Sequence, residues 1–64
     1  MVKINGELSS SEGMVLAEYL SQNGYDTRCI AVERNGEIVP KSQYEATILQ
    51  ENDSLEVVSF VGGG

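Results

Sequence analysis

The sequence predicts an α+β domain: a small mixed sheet of four to five strands packed on one main helix, with a flexible glycine tail. Three observations carry this expectation. Asn-Gly stands between strand-like stretches at Asn5-Gly6 and again at Asn35-Gly36, and is the strongest short-range hairpin signal because both turn positions require positive φ. One stretch, Met14 to Asn23, has the apolar spacing of a helix. Finally, Leu55 to Val61 reads as a strand that leads directly into Gly62-Gly63-Gly64.

Taken in order, Val2-Lys3-Ile4 alternates apolar and polar, turns at Asn5-Gly6 and returns through Glu7-Leu8. Ser9-Ser10-Ser11 follows, and Ser9 with Glu12 has the spacing of a capping box. In the predicted helix, Leu16, Tyr19 and Leu20 share one face, which must be buried against a partner layer. Gly24 stands where a helix end needs positive φ. Cys29 precedes the apolar Ile30-Ala31-Val32 run and is read as a small strand residue rather than a reactive thiol. The strand continues through Glu33-Arg34, turns at Asn35-Gly36, and is answered by Glu37-Ile38-Val39 until Pro40 ends the pairing. Lys41 to Gln50 reads as a short helical turn or packed loop around Tyr44, Ile48 and Leu49, and Glu51 to Ser54 as a polar turn. The strand–helix–strand crossover permits parallel pairing, and the first and last strands are expected side by side at the sheet centre. This order matches the β-grasp, or ubiquitin-like, fold, with a domain over 1–61 and a tail over 62–64.

Composition narrows the function. A chain of 64 residues buries only about 60% of its unfolded surface and forms one small domain. Ten acidic against four basic residues give a net charge of −6. That argues against nucleic acid, whose phosphates call for Lys and Arg, and mildly favours partners with a basic surface, although such a charge more simply keeps a domain soluble. There is one cysteine and no histidine, so an internal disulfide, a Ser-His-Asp or Cys-His arrangement and a His-containing zinc site are all impossible. No enzyme activity, metal or bound cofactor is expected of the domain itself. No apolar stretch approaches the roughly 20 residues that cross a bilayer, and Met1 to Gly6 does not read as a signal peptide. A cytoplasmic protein without membrane association is expected.

The glycine run is the feature that folding does not explain. Without Cβ atoms, Gly62, Gly63 and Gly64 would form a thin leash able to enter a narrow channel in another enzyme. A frayed end or a linker has the same composition. On the last strand, Leu55, Val57 and Ser59 point one way while Glu56, Val58 and Phe60 point the other. If Leu55 and Val57 enter the core, Val58 and Phe60 lie on the outer face as docking candidates; alternatively, Phe60 covers the sheet end. Lys3 and Lys41 could accept conjugation, but surface lysines more simply keep a domain soluble.

The whole chain resembles the ThiS family, the sulfur carriers of bacterial thiamine biosynthesis. The likeness lies in Asn5-Gly6, Glu12-Gly13, Leu16 with Tyr19-Leu20, the stretch Ala31 to Pro40, and above all the ending Leu55 to Gly64. Two departures stand out: Val15 replaces a capping Thr or Ser, and Glu51-Asn52 precedes Asp53 where an acidic residue and a glycine are more usual. The resemblance implies that Gly64 is adenylated by a ubiquitin-activating-type (ThiF-like) enzyme using ATP and Mg²⁺. A sulfur-donor system then converts Gly64 to a thiocarboxylate, and a ThiG-like thiazole synthase takes the sulfur. The same fold and tail also suit a MoaD-like carrier for another pathway, or a modifier conjugated through Gly64; the group found on Gly64 discriminates between sulfur transfer and conjugation.

Overall fold

A computed structural model of the chain describes residues 1–60. Two hairpins flank a central strand. In the first, β1 (Val2–Ile4) pairs antiparallel with β2 (Glu7–Ser9). In the second, β3 (Ile30–Arg34) pairs antiparallel with β4 (Glu37–Val39). Both turns take the geometry that Asn-Gly favours: φ is 52° and 84° at Asn5 and Gly6, and 53° and 86° at Asn35 and Gly36. β5 (Ser54–Ser59) lies between the hairpins, parallel to β1 and antiparallel to β3. The order β2-β1-β5-β3-β4 makes the mixed five-stranded sheet and puts the first and last strands side by side, as predicted.

One helix, α1 (Leu16–Gln22), is shorter than the predicted 14–23. Its N-terminus corrects the sequence reading. The Ser9–Glu12 capping box does not form: Ser9 Oγ and Ser11 Oγ bond each other, and Val15 occupies the N-cap without a side-chain bond. Capping comes from the loop opposite. Leu16 N–H donates to the Thr47 carbonyl at 2.7 Å, and Ala17 N–H to the Tyr44 carbonyl at 3.0 Å. These bonds satisfy donors that any helix start leaves orphaned, so Val15 is tolerated. The other end is a Schellman turn: Tyr25 N–H donates to the Leu20 carbonyl at 3.0 Å and Gly24 N–H to the Ser21 carbonyl at 3.2 Å, with Gly24 at φ 78°.

The core forms where α1 crosses the sheet. Leu16 and Leu20 meet Val2, Ile4, Ile30, Val32, Leu55 and Val57, while Tyr44 and Leu49 seal one side. Tyr19 is partly buried against this cluster. The ambiguous stretch 41–50 resolves as a 3₁₀ turn at Lys41–Gln43 followed by a packed loop. Leu49 and Met14 anchor that loop, Leu49 N–H donating to the Met14 carbonyl at 2.8 Å. Ile48 remains exposed.

Two further expectations change. Cys29 is not in the strand; it closes a 3₁₀ turn, Thr27–Cys29, nucleated by Asp26 accepting from Arg28 N–H at 3.0 Å. Arg28's side-chain bonds, then its N–H, hold the exposed Asp26 carboxyl down to about 2. The supposed polar turn 51–54 also has an inner part: Ser54 opens β5 and Asp53 is buried. Asn52 takes φ 72° there, a left-handed conformation that asparagine tolerates where glycine would be the simplest choice. The strand predicted to reach Val61 is observed as Ser54–Ser59. Val61 and the tail Gly62, Gly63 and Gly64 lie outside the described residues.

Candidate functional site

The candidate site is the outer face and trailing end of β5, which together present the approach to the glycine run. Among the described residues no pocket opens in the surface, so the site is a sheet face rather than a cleft. Alternation from Ser54 to Val58 sorts the side chains into two faces, while Ser59 at the strand's end is exposed. Leu55 and Val57 are 1% and 7% exposed, whereas Val58 and Phe60 are 57% and 47% exposed. Val58 therefore stands on the open side, opposite α1, and Phe60 is part-exposed one residue past the strand's end.

Strand register adds neighbours that the sequence reading left out. Val58 is paired with Ala31, and Glu56 with Glu33, which in turn is paired with Ile38. Paired residues share a face, so Ile38 joins Val58 on the outer side, where it is largely exposed. Leu8, paired with Lys3, is likewise exposed at the far edge. Their positions were legible: a two-residue turn fixes Ile4 opposite Glu7 and hence Leu8 opposite Lys3. The Glu56–Glu33 pair sets like charges directly opposite each other, an arrangement that opposes folding.

β5 is held at both ends by side chains from the turns. At its start, Ser54 N–H donates to Asn35 Oδ1 at 2.9 Å. Asn35 Nδ2 in turn donates to Asp53 Oδ1 at 3.1 Å. Asp53 Oδ2 also accepts from Arg34 Nε and from Gln50 N–H, both at 2.8 Å. Burial alone would raise the Asp53 pKa; the bonds from Gln50, Asn35 and Arg34, with the Arg34 charge, outweigh it and hold the carboxyl below its ordinary value.

At the other end, β1 stops at Ile4 while β5 runs on. Asn5 bridges the gap: its N–H donates to the Leu55 carbonyl at 2.9 Å, its Oδ1 accepts from Val57 N–H at 2.8 Å, and its Nδ2 donates to the Val57 carbonyl at 3.3 Å. From the β3 side, the Cys29 carbonyl accepts from Phe60 N–H at 2.9 Å. The strand is thus fixed from two sides just before the glycine run.

No group of three or more His, Cys, Asp or Glu residues placed to hold a metal ion occurs among the described residues. Nor is any helix among them long and apolar enough to cross a membrane.

Comparison with known proteins places this geometry. The sequence model of the ThiS family matches residues 1–64. A thiazole synthase of Paramagnetospirillum magneticum is 48% identical over 62 residues, covering 95% of this chain but 19% of that protein. The chain therefore spans about a fifth of that relative's length. The sulfur carrier protein ThiS of Bacillus subtilis is 42% identical over 50 residues, covering 78% of this chain and 70% of that one. The crystal structure of a thiamine biosynthesis protein (ThiS) from Geobacter metallireducens superposes with a TM-score of 0.76 at 28% identity, covering 98% and 97% of the two chains. Fold, full-length family match and sequence similarity agree: the chain belongs to the ThiS family.

Proposed function

We propose that this chain is a sulfur carrier for thiamine thiazole synthesis, acting through the carboxyl group of Gly64. The observation that carries the reading is that Gly62-Gly63-Gly64 follows the central strand by two residues in sequence, in a chain matched from end to end by the ThiS family. Similarity to the Bacillus subtilis sulfur carrier supports the cargo. Similarity to the thiazole synthase supports the destination.

The chemistry follows from the weakness of a carboxylate as an acyl donor. A Gly64 carboxylate oxygen attacks the α-phosphorus of ATP, the bond to pyrophosphate breaks, and an acyl-adenylate forms. A hydrosulfide-level nucleophile then attacks the carbonyl carbon, AMP leaves with the bonding pair, and Gly64 becomes a thiocarboxylate. A ThiF-like adenylating enzyme supplies the ATP site, with Mg²⁺ offsetting phosphate charge. A sulfur-donor system supplies the nucleophile, and a ThiG-like thiazole synthase receives the sulfur. The domain contributes a covalent handle and a docking face, while catalysis belongs to its partners.

Val58 and Phe60 form the docking face, with Ile38 on the same side of the sheet two strands away. Exposed apolar residues next to a reacting terminus supply the anchoring contacts that dominate interfaces. The Glu33–Glu56 pair and the net charge of −6 suit a partner with basic groups around an apolar patch, because complementary charge steers association.

ATP–pyrophosphate exchange tests this reading. A purified ThiF-like enzyme is expected to exchange pyrophosphate only when the chain is added, and to lose that activity when Gly63 and Gly64 are deleted. Exchange that survives the deletion contradicts the proposed handle.

A further inference from the structure

Asn5 has a role that the turn does not require. A type I′ turn needs positive φ at its first position, and glycine meets that need as well as asparagine does. The Asn5 side chain does something else: it reaches across to Val57, offering Oδ1 to its N–H at 2.8 Å and Nδ2 to its carbonyl at 3.3 Å. Both backbone groups point to the side of β5 where β1 has already ended. The amide therefore supplies a ladder rung that the main chain cannot, three residues before Phe60 and on the approach to Gly62.

Resting on the sulfur-carrier reading, we infer that Asn5 is a positioning residue for activation of Gly64. Its side chain fixes the trailing end of β5 at Val57, five positions before the glycine run begins in the sequence. The second turn offers an internal control. Asn35 has nearly the same φ and also binds β5 through its side chain, but at Ser54, the far end of the strand. Removing the Asn35 side chain costs folding interactions without freeing the end that leads to Gly64. Productive alignment after docking is a kcat property, because a displaced reacting group lowers turnover even when binding is intact.

The test compares Asn5→Gly with Asn35→Gly, since glycine keeps both turns and removes only the side chains. Adenylation of the full chain by a ThiF-like enzyme is followed at a temperature where circular dichroism shows every variant folded. Asn5→Gly is expected to lower kcat about tenfold, within the range that misalignment of a reacting group can cost, with KM close to the wild-type value. Asn35→Gly should keep kcat near wild type. Asn5→Asp keeps the acceptor for Val57 N–H and should recover part of the loss. Amide hydrogen exchange should quicken at Val57 in Asn5→Gly alone. Wild-type turnover by Asn5→Gly, or equal losses in the two glycine variants, would overturn the inference. A wild-type chain that is not adenylated, beside a control carrier that is, overturns the sulfur-carrier reading itself, and the inference falls with it.

Discussion

Leu55 and Val57 face α1, while Glu56 and Val58 face outward from the same stretch of β5, with Phe60 part-exposed just past its end, and the two sets obey different rules. Inward residues are apolar, almost completely covered and accounted for by packing. The outward set joins exposed apolar side chains to a pair of facing glutamates. Neither feature helps a domain this small to fold. The contrast teaches where to look for function: on the face whose composition folding leaves unexplained.

Substitutions can break that contrast or sharpen it. The largest effect on stability is expected from Leu55→Ala, which removes a fully buried side chain and should cost about 2–5 kcal/mol in urea unfolding. Any loss of activation should then follow from loss of the folded state. Next comes Asp53→Asn, expected to cost about 1–3 kcal/mol at neutral pH because charged hydrogen bonds to Arg34 and Gln50 are weakened. This variant also carries a pH signature. The folded Asp53 carboxyl lies below its ordinary value of 3.8, so its stabilisation is complete above that value and is lost as pH falls through the depressed folded pKa. Acid titration of stability should be flatter in Asp53→Asn than in the wild type.

On the outer face the order reverses. Phe60→Ala should change stability by no more than about 1 kcal/mol yet reduce kcat/KM for activation about tenfold or more, as loss of an interface anchor does. Equal loss of folding cooperativity and activation would return Phe60 to the core. Glu56→Lys is the sharpest case. Replacing a facing pair of like charges with opposite ones should stabilise the domain by about 0.2–1 kcal/mol, while slowing association with a basic partner. Thermal unfolding and kcat/KM measured on the same sample would show whether the two quantities move in opposite directions.

What could be read in advance followed how locally each feature is encoded. Asn5-Gly6 and Asn35-Gly36 demand positive φ within two residues, so both hairpins were legible. The Leu16, Tyr19, Leu20 stripe and the Gly24 stop are equally local, as is the alternation that turns Val58 outward. The helix cap was not, because the Thr47 and Tyr44 carbonyls that bind Leu16 and Ala17 are backbone atoms with no residue-type signature. Asp53 reads as a turn residue because Arg34 and Asn35, which explain its burial, lie 19 and 18 positions away. In sequence Asn5 reads as a turn former, and its reach to Val57 spans 52 positions. Leu8 and Ile38 needed only the register that the turns already implied.

The most direct measurement is intact-mass and C-terminal fragment spectrometry of the chain before and after incubation with the adenylating enzyme, ATP, Mg²⁺ and a sulfur donor. Fragment localisation matters because oxidation of Met1 or Met14 has the same nominal mass change as exchanging oxygen for sulfur. The expected result is replacement of one oxygen by sulfur, confined to Gly64 and dependent on ATP. An unmodified Gly64 beside a converted control carrier, or a Gly64 joined to another protein instead, would contradict the sulfur-carrier reading.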